Sequence, residues 1–468
     1  MSMSRRKALS SMKSARSRRQ KDVEMKSAKG PSPVAEPVEN RKVVEVVQEQ
    51  KSSPSNPPQP QKEQASAPSN RQQPQDEAAQ AFKQVDKALT AHIWYHGLIP
   101  RKEVEDMLKI QGDFLVRKTT VARQVKYCLS VKHTSDTKHV PLGFANGTWT
   151  LKDISKPSLK ELIDELVQTA KPIPPSGVIL KTPFPRPDYY FLHEHITMLK
   201  KLGHGEFGEV HLGRLRLKND EEIDVAVKVL KSTHIKKSQL SAFFEAKLMR
   251  RFDHPNIVRF YGVAPQEEPI MIIIELAAGG SLKSYCKSHA EIPSSKLLQF
   301  ATDGARGMCY LAARQVIHRD LAARNCLLGQ NDELKISDFG LSIADRTEMK
   351  LDKLKSVPIK WLAPETLRQG LFSTKTDVWS YGVLLWEIFA RCASDPFPGE
   401  TNAKAKEHIL NDPAPMSAPE GSPPIVQEVM NVCFVKNPEE RADFVKVLKL
   451  LSPKEEPPTI PLGTFQTY

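Results

Sequence analysis

His318-Arg319-Asp320-Leu321-Ala322-Ala323-Arg324-Asn325 sets an acid and an amide five positions apart, and thirteen residues later Asp338-Phe339-Gly340 adds a second acid followed by a glycine. Asp320 can take the proton of an attacking hydroxyl, and Asn325 can reach round to hold a metal ion. Asp338 would bind Mg2+ bridging nucleotide phosphates, beside a glycine free to turn sharply. This set suits phosphoryl transfer, whose work is mostly positioning and charge neutralisation on phosphate oxygens. An isolated Asp and Asn on a polar loop would do no more than cap turns. The two clusters together, at this spacing, point to the transfer chemistry.

In these residues the chain resembles a protein kinase, and the resemblance extends to the acceptor. Serine/threonine-directed members usually carry a Lys two residues after the catalytic Asp, where this chain has Ala322. Arg324, four residues after it, is placed as in tyrosine kinases, and Pro358-Ile359-Lys360-Trp361 leading into Ala363-Pro364-Glu365 is similar to their acceptor loop.

At 468 residues, two or three domains are expected. A net charge of +13, from 68 Lys and Arg against 55 Asp and Glu, favours acidic partners without choosing among them. The six cysteines (Cys128, Cys286, Cys309, Cys326, Cys392, Cys433) show no CxxC pair, so they read as reduced, buried thiols of an intracellular protein. No apolar run approaches the roughly 18–20 residues of a membrane span. Ser2 in place of Gly gives no reason to expect N-myristoylation.

Residues 1–90 are rich in Ser, Pro, Gln and Lys and poor in aromatics, a composition expected to stay disordered. Ten Lys and Arg fall within residues 1–30. That stretch is open to three readings: contact with an anionic membrane surface, a nuclear-import signal, or a solvated tail.

Order is expected from Trp94-Tyr95-His96-Gly97 onward. The strand Phe114-Leu115-Val116-Arg117 carries an arginine among apolar neighbours, costly unless it meets an anion. Guanidinium matches two phosphate oxygens, so Arg117 reads as a phosphate clamp. Apolar spacing of three and four over Leu159–Val167 predicts a helix. This segment resembles an SH2 domain, a phosphotyrosine-peptide reader. The resemblance implies Arg117, Arg101 and His139 as phosphotyrosine-binding residues.

Pro183, Pro185 and Pro187 mark 181–195 as an extended linker. Beyond it, Gly203-His204-Gly205-Glu206-Phe207-Gly208-Glu209-Val210 follows a strand and continues as one, which favours a glycine hairpin over triphosphate rather than a dinucleotide fold. Lys228 ends the apolar strand Val225-Ala226-Val227 and is the expected phosphate ligand, with Glu245 as its counter-charge. Ile270 to Ala277 reads as the strand and hinge beside adenine. Glu275 and Ala277 would meet the base through backbone groups, and Ile274 would limit pocket depth. The family resemblance implies that ATP is held by Leu202, Gly203, Gly205, Gly208, Val210, Ala226, Lys228, Glu275 and Ala277. It implies catalytic roles for Lys228, Glu245, Asp320, Arg324, Asn325 and Asp338, with Mg2+ on Asn325 and Asp338. Asp377 would hold the catalytic-loop backbone and Arg441 would pair with Glu365.

The expected fold is α+β: a disordered tail (1–90), an SH2 domain with a central antiparallel sheet flanked by two helices (94–180), the linker (181–195), a bilobal protein-kinase domain (196–452) and a C-terminal tail (453–468). The order SH2 then tyrosine kinase is most similar to the Fer/Fes non-receptor group, without its F-BAR region. It implies a cytoplasmic enzyme acting on protein tyrosines and docking on phosphotyrosine proteins, to which residues 1–30 leave peripheral-membrane or nuclear association open in addition. The alternative is a phosphotyrosine-binding scaffold with a weakly active or inactive kinase domain. All nine tyrosines lie outside the segment between Asp338 and Glu365. Glu348 is therefore expected to imitate an activating phosphate there, or the SH2 domain to act alone as the control.

Overall fold

The computed structural model describes residues 84–121, 124–205, 208–230, 235–289, 291–352 and 357–458. The basic stretch 1–30, Glu206 and Phe207 at the glycine-loop tip, and Tyr468 lie outside them.

Five strands of the first domain run antiparallel in order, Asp113–Val121, Gln124–Lys132, Thr137–Ala145, Thr148–Leu151 and Ile154–Lys156. Helix Arg101–Met107 and helix Leu159–Thr169 flank them. The second helix buries Leu159, Leu162, Ile163 and Leu166, the face that the three-and-four spacing predicts, and Ser158 caps it by accepting from the Glu161 N–H. The expected antiparallel sheet gains two parallel edges, since Tyr95–Gly97 and Thr182–Pro183 both pair with Asp113–Val121.

Two boundaries differ from expectation. Residues 84–90 are helical, inside the stretch assigned to a disordered tail. Leu89 joins the domain core, and buried Asp86 accepts hydrogen bonds from Tyr95 Oη and Tyr127 Oη, each at 2.9 Å, and from Lys118 Nζ. A buried carboxylate needs such partners, and they lie too far along the chain for composition to reveal. The linker, too, is more than an extended connector: Tyr190 and Phe191 are buried, and Tyr190 bridges to Val263.

The second domain has two lobes. In the upper lobe a five-stranded sheet runs in the order Phe260–Ala264, Met271–Glu275, Glu222–Leu230, Gly208–Arg216, Ile196–Gly205, beside helix Ile235–Met249. The lower lobe is helical around one apolar core, with Ser294–Ala313 and Thr374–Phe389 at its centre. Arg441 is fully buried and bidentate on Glu365 at 2.6 and 2.9 Å, as expected. Phe434 packs edge-on against Trp379, ring centroids 5.0 Å apart, so an aromatic fills the position after Cys433.

The first domain and the upper lobe share a core. Leu98, Ile99, Val104, Leu108 and Leu115 pack in one cluster with Tyr190, Leu230, Phe243, Val263, Ile270 and Ile272. The Leu98 N–H donates to Pro265 O at 2.7 Å. At Gly97, where φ is +71°, an added Cβ would lie 2.3 Å from Gln266 Cα, so only glycine permits the approach. Lys247 Nζ reaches Asp106 at 2.6 Å, joining the helix Ile235–Met249 to the helix Arg101–Met107.

Two outcomes follow from this packing. Glu365→Gln strands a buried guanidinium, so urea denaturation should show a loss of about 3–5 kcal/mol, largely recovered in Glu365→Leu/Arg441→Met. Burial lowers the imidazoles of His96 and His254 from 6.5 to about 4, so the unfolded chain takes up protons first. Their contribution to stability is full above pH 6.5 and falls away toward pH 4. Thermal melting between pH 7 and 4 should therefore show a falling Tm. His96→Gln keeps a donor for Phe184 O without a titrating ring, and should flatten part of that fall.

Candidate active site and anion pocket

The upper wall of the cleft is the hairpin Ile196–Gly205 and Gly208–Arg216, with Gly205 opposite Gly208. At Gly208 an added Cβ would sit 2.0 Å from Val229 O, so packing alone demands glycine. At Gly203 a Cβ would meet nothing within 4 Å, leaving that backbone open to an approaching group. Val210 lies opposite Lys228 in the sheet, Ala226 is buried and Leu202 is half exposed. At the hinge, Glu275 N–H is spent on Arg259 O at 2.9 Å and its side chain reaches Lys335 at 3.0 Å. The Ala277 N–H donates to no group among the described residues, while Ala277 O accepts from the Gly280 N–H at 3.1 Å.

Lys228 Nζ donates to both oxygens of Glu245, at 2.8 and 3.0 Å, and lies 3.6 Å from Asp338 Oδ1. Burial works against its charge, but the two acids outweigh burial and hold the ammonium above its ordinary pKa. Phe339 is fully buried against Phe252 and His318, with ring centroids at 5.0 and 5.3 Å, which turns Asp338 toward the cleft.

Below, Asp377 is buried and accepts from the backbone N–H of His318 and Arg319 at 2.7 and 2.9 Å, as expected. Burial pushes its carboxyl up to about 7, and those two donors pull the other way. Asp320 accepts from Arg324 Nη2 and from Asn325 Nδ2, the latter at 2.7 Å. Asn325 thus commits its NH2 group, and its side-chain oxygen accepts no hydrogen bond among the described residues. That free oxygen and the Asp338 carboxylate are hard donors that fit Mg2+, which takes few protein ligands alongside phosphate and water. No cluster of three or more His, Cys, Asp or Glu suited to a metal occurs among the described residues.

Sequence reasoning missed Glu387. Buried on helix Thr374–Phe389, it accepts from Ala323 N–H at 2.9 Å and Trp361 Nε1 at 3.0 Å, tying the loop 318–325 to the segment 358–365. Trp361 in turn lies under the Arg324 guanidinium at 4.7 Å. Glu348, expected to imitate a phosphate, is exposed and makes no ion pair among the described residues. The acid of that segment which engages a cation is Asp345, bidentate with Arg251 at 2.8 Å to each nitrogen. Arg319 stacks on Phe372 at 4.5 Å and donates to Leu341 O, while its buried Nε has no hydrogen-bond partner among the described residues.

The three residues expected to bind phosphotyrosine converge. Arg117 is buried, its Nε lacks a hydrogen-bond partner among the described residues, and Nη1 makes one long bond of 3.4 Å to Ile99 O. Burial lowers its pKa. His139 Nδ1 is 2.9 Å from Ser130 Oγ, and burial with Arg117 and Arg101 nearby lowers its ring to about 4. Arg101 lies at the rim, on the first residue of its helix.

Residues 196–451 match the family model of protein tyrosine and serine/threonine kinases, and residues 94–166 match that of the SH2 domain. The chain is 40% identical over 371 residues to tyrosine-protein kinase Fer of Rattus norvegicus, a match covering 78% of this chain and 44% of that protein. It is 38% identical over 365 residues to Fer-related kinase 1 of Caenorhabditis elegans, covering 76% of this chain and 92% of that protein. With the transforming protein Fps of Fujinami sarcoma virus the identity is 38% over 365 residues, 77% of this chain and 41% of the other. The chain thus spans less than half the length of Fer and Fps. The kinase match covers more than half of the chain, and the paired Lys228, Glu245 and Asp338 stand inside it: the chain belongs to the protein tyrosine and serine/threonine kinase family, among the Fer- and Fps-related kinases that follow an SH2 domain.

Proposed function

We propose that the protein transfers the γ-phosphoryl group of ATP to tyrosine hydroxyls of protein substrates, as a non-receptor kinase whose SH2 domain binds phosphotyrosine peptides. The proposed domains are SH2 at 94–180, linker at 181–195 and kinase at 196–452. The observation that carries the reading is the Lys228–Glu245 pair, made at 2.8 Å beside Asp338. A chain with this pair intact gives no support to a scaffold that has lost transfer.

In this reading the hinge and Ala226 face adenine, and the glycine hairpin with Lys228 holds the phosphates. Asn325 and Asp338 would hold Mg2+, which supplies charge neutralisation when bound. Asp320 accepts the proton of the tyrosine hydroxyl, and Arg324, ordered on Asp320 and Trp361, lines the acceptor side. The helix carrying Glu245 is backed by the SH2 domain through Phe243 and the Lys247–Asp106 pair. That contact, together with Asp345–Arg251, supports an active arrangement without an activation-segment tyrosine.

No described helix is long and apolar enough to cross a membrane. The compartment proposed is the cytoplasm. Contact of residues 1–30 with an anionic membrane surface or with nuclear import rests on their ten cations alone.

The full chain, given Mg2+-ATP and a mixed pool of Tyr, Ser and Thr peptides, should make phosphotyrosine. Asp320→Asn should lower kcat by about 10²–10⁴ with nucleotide affinity retained, and Asp338→Asn should abolish transfer. Phosphoserine as the main product would overturn the acceptor assignment. Asp106→Lys should cost about fivefold in kcat, the equivalent of about 1 kcal/mol, and Asp106→Lys/Lys247→Asp should restore it. Equal rates in all three proteins would sink control through this contact.

A further inference from the structure

The anion pocket of the SH2 domain already contains a carboxylate. Glu105 lies one turn beyond Arg101 on the helix Arg101–Met107. Its Oε1 accepts from Arg101 Nε at 2.7 Å and stands 3.4 Å from His139 Nε2. Two of the three residues assigned to the phosphate thus face an internal acid, while the third, Arg117, keeps a buried Nε with no hydrogen-bond partner among the described residues. We infer that Glu105 is a built-in competitor for the phosphotyrosine site, which a phosphopeptide must displace from Arg101 and His139 before the pocket closes on it.

The inference rests on the reading of this pocket as a phosphotyrosine site and extends it to how selective the site is. A phosphotyrosine brings a charge of about −1.5 to −2 at neutral pH. Placed between Arg117, Arg101 and His139, it meets the Glu105 carboxylate as a like charge. Arg101 holds Glu105 below the ordinary carboxylate range, so the acid stays ionised at neutral pH. The Glu105 side chain is 40% exposed and can swing outward. The pocket is therefore restrained rather than sealed. Its free state is ordered by a weak anion, and only a ligand with stronger charge and the reach to touch Arg117 displaces it. Such a device trades affinity for discrimination against singly charged side chains, a form of specificity built from repulsion.

The test uses the full chain without nucleotide, titrated calorimetrically with a tyrosine-phosphorylated peptide, the same peptide with Glu in place of phosphotyrosine, and phenyl phosphate. Glu105→Gln should tighten phosphopeptide binding by roughly threefold to tenfold, the scale of one exposed ion pair plus a like-charge contact. It should tighten binding of the Glu peptide by a larger factor. Arg101→Gln should cost little in the native background and much more beside Glu105→Gln, since Glu105 engages Arg101 only in the former. Unchanged or weaker phosphopeptide binding by Glu105→Gln would overturn the inference and make Glu105 a residue that positions Arg101 for the ligand. Arg117→Gln is read separately: if it binds the phosphopeptide like the native chain, the phosphotyrosine reading itself fails, whatever Glu105 does.

Discussion

The Lys228–Glu245 ion pair is the contact on which the cleft depends. Two buried charges are costly to hold apart from water, and their attraction compensates only when both side chains are held in place. Lys228 is fixed by its strand, paired on both sides in the sheet. Glu245 belongs to a helix whose position is set by what lies behind it, and what lies behind it is the SH2 domain. The packing of Phe243 among Leu98, Ile99, Val104 and Leu108 is therefore electrostatic in its effect, though it is apolar in kind.

The lower lobe solves a related problem by different means. Asp377, Glu387 and Glu365 are all buried acids, and each is satisfied by groups that must not move: loop N–H groups, an indole, a guanidinium. The loop 318–325 and the segment 358–365 thus share supports within one helical core. Below the cleft, as above it, burial supplies the stiffness and hydrogen bonds supply the direction.

The candidate catalytic residues could be proposed from the sequence because they lie in short contiguous motifs whose spacing suits phosphoryl transfer. Arg117 drew notice because a charge inside an apolar strand needs a reason, and the structure does bury it. What escaped was the set of pairs formed across long stretches of chain. Asp86 serves Tyr127, Glu387 serves Trp361, Asp345 meets Arg251 and Glu105 stands beside His139. Nothing local distinguishes these acids from solvated ones, so the sequence drew attention to Glu348, whereas among the described residues it is Asp345 that meets a cation. The helix at residues 84–90 was hidden for the same reason, since a single buried acid and one leucine leave little periodic signal in a Gln- and Pro-rich stretch.

The core shared by the SH2 domain and the upper lobe bears on how the molecule comes apart. Domains joined by a free tether melt independently, each with its own stability. Here Tyr190, Phe243, Val263 and Ile272 have apolar neighbours supplied by the other domain. Removing those neighbours would leave a contiguous apolar patch of the kind that folded surfaces rarely expose. The two therefore form one cooperative unit at this seam, and a change that loosens the SH2 sheet is felt as lost stability in the nucleotide lobe. The kinase inherits part of its fold from the module that precedes it.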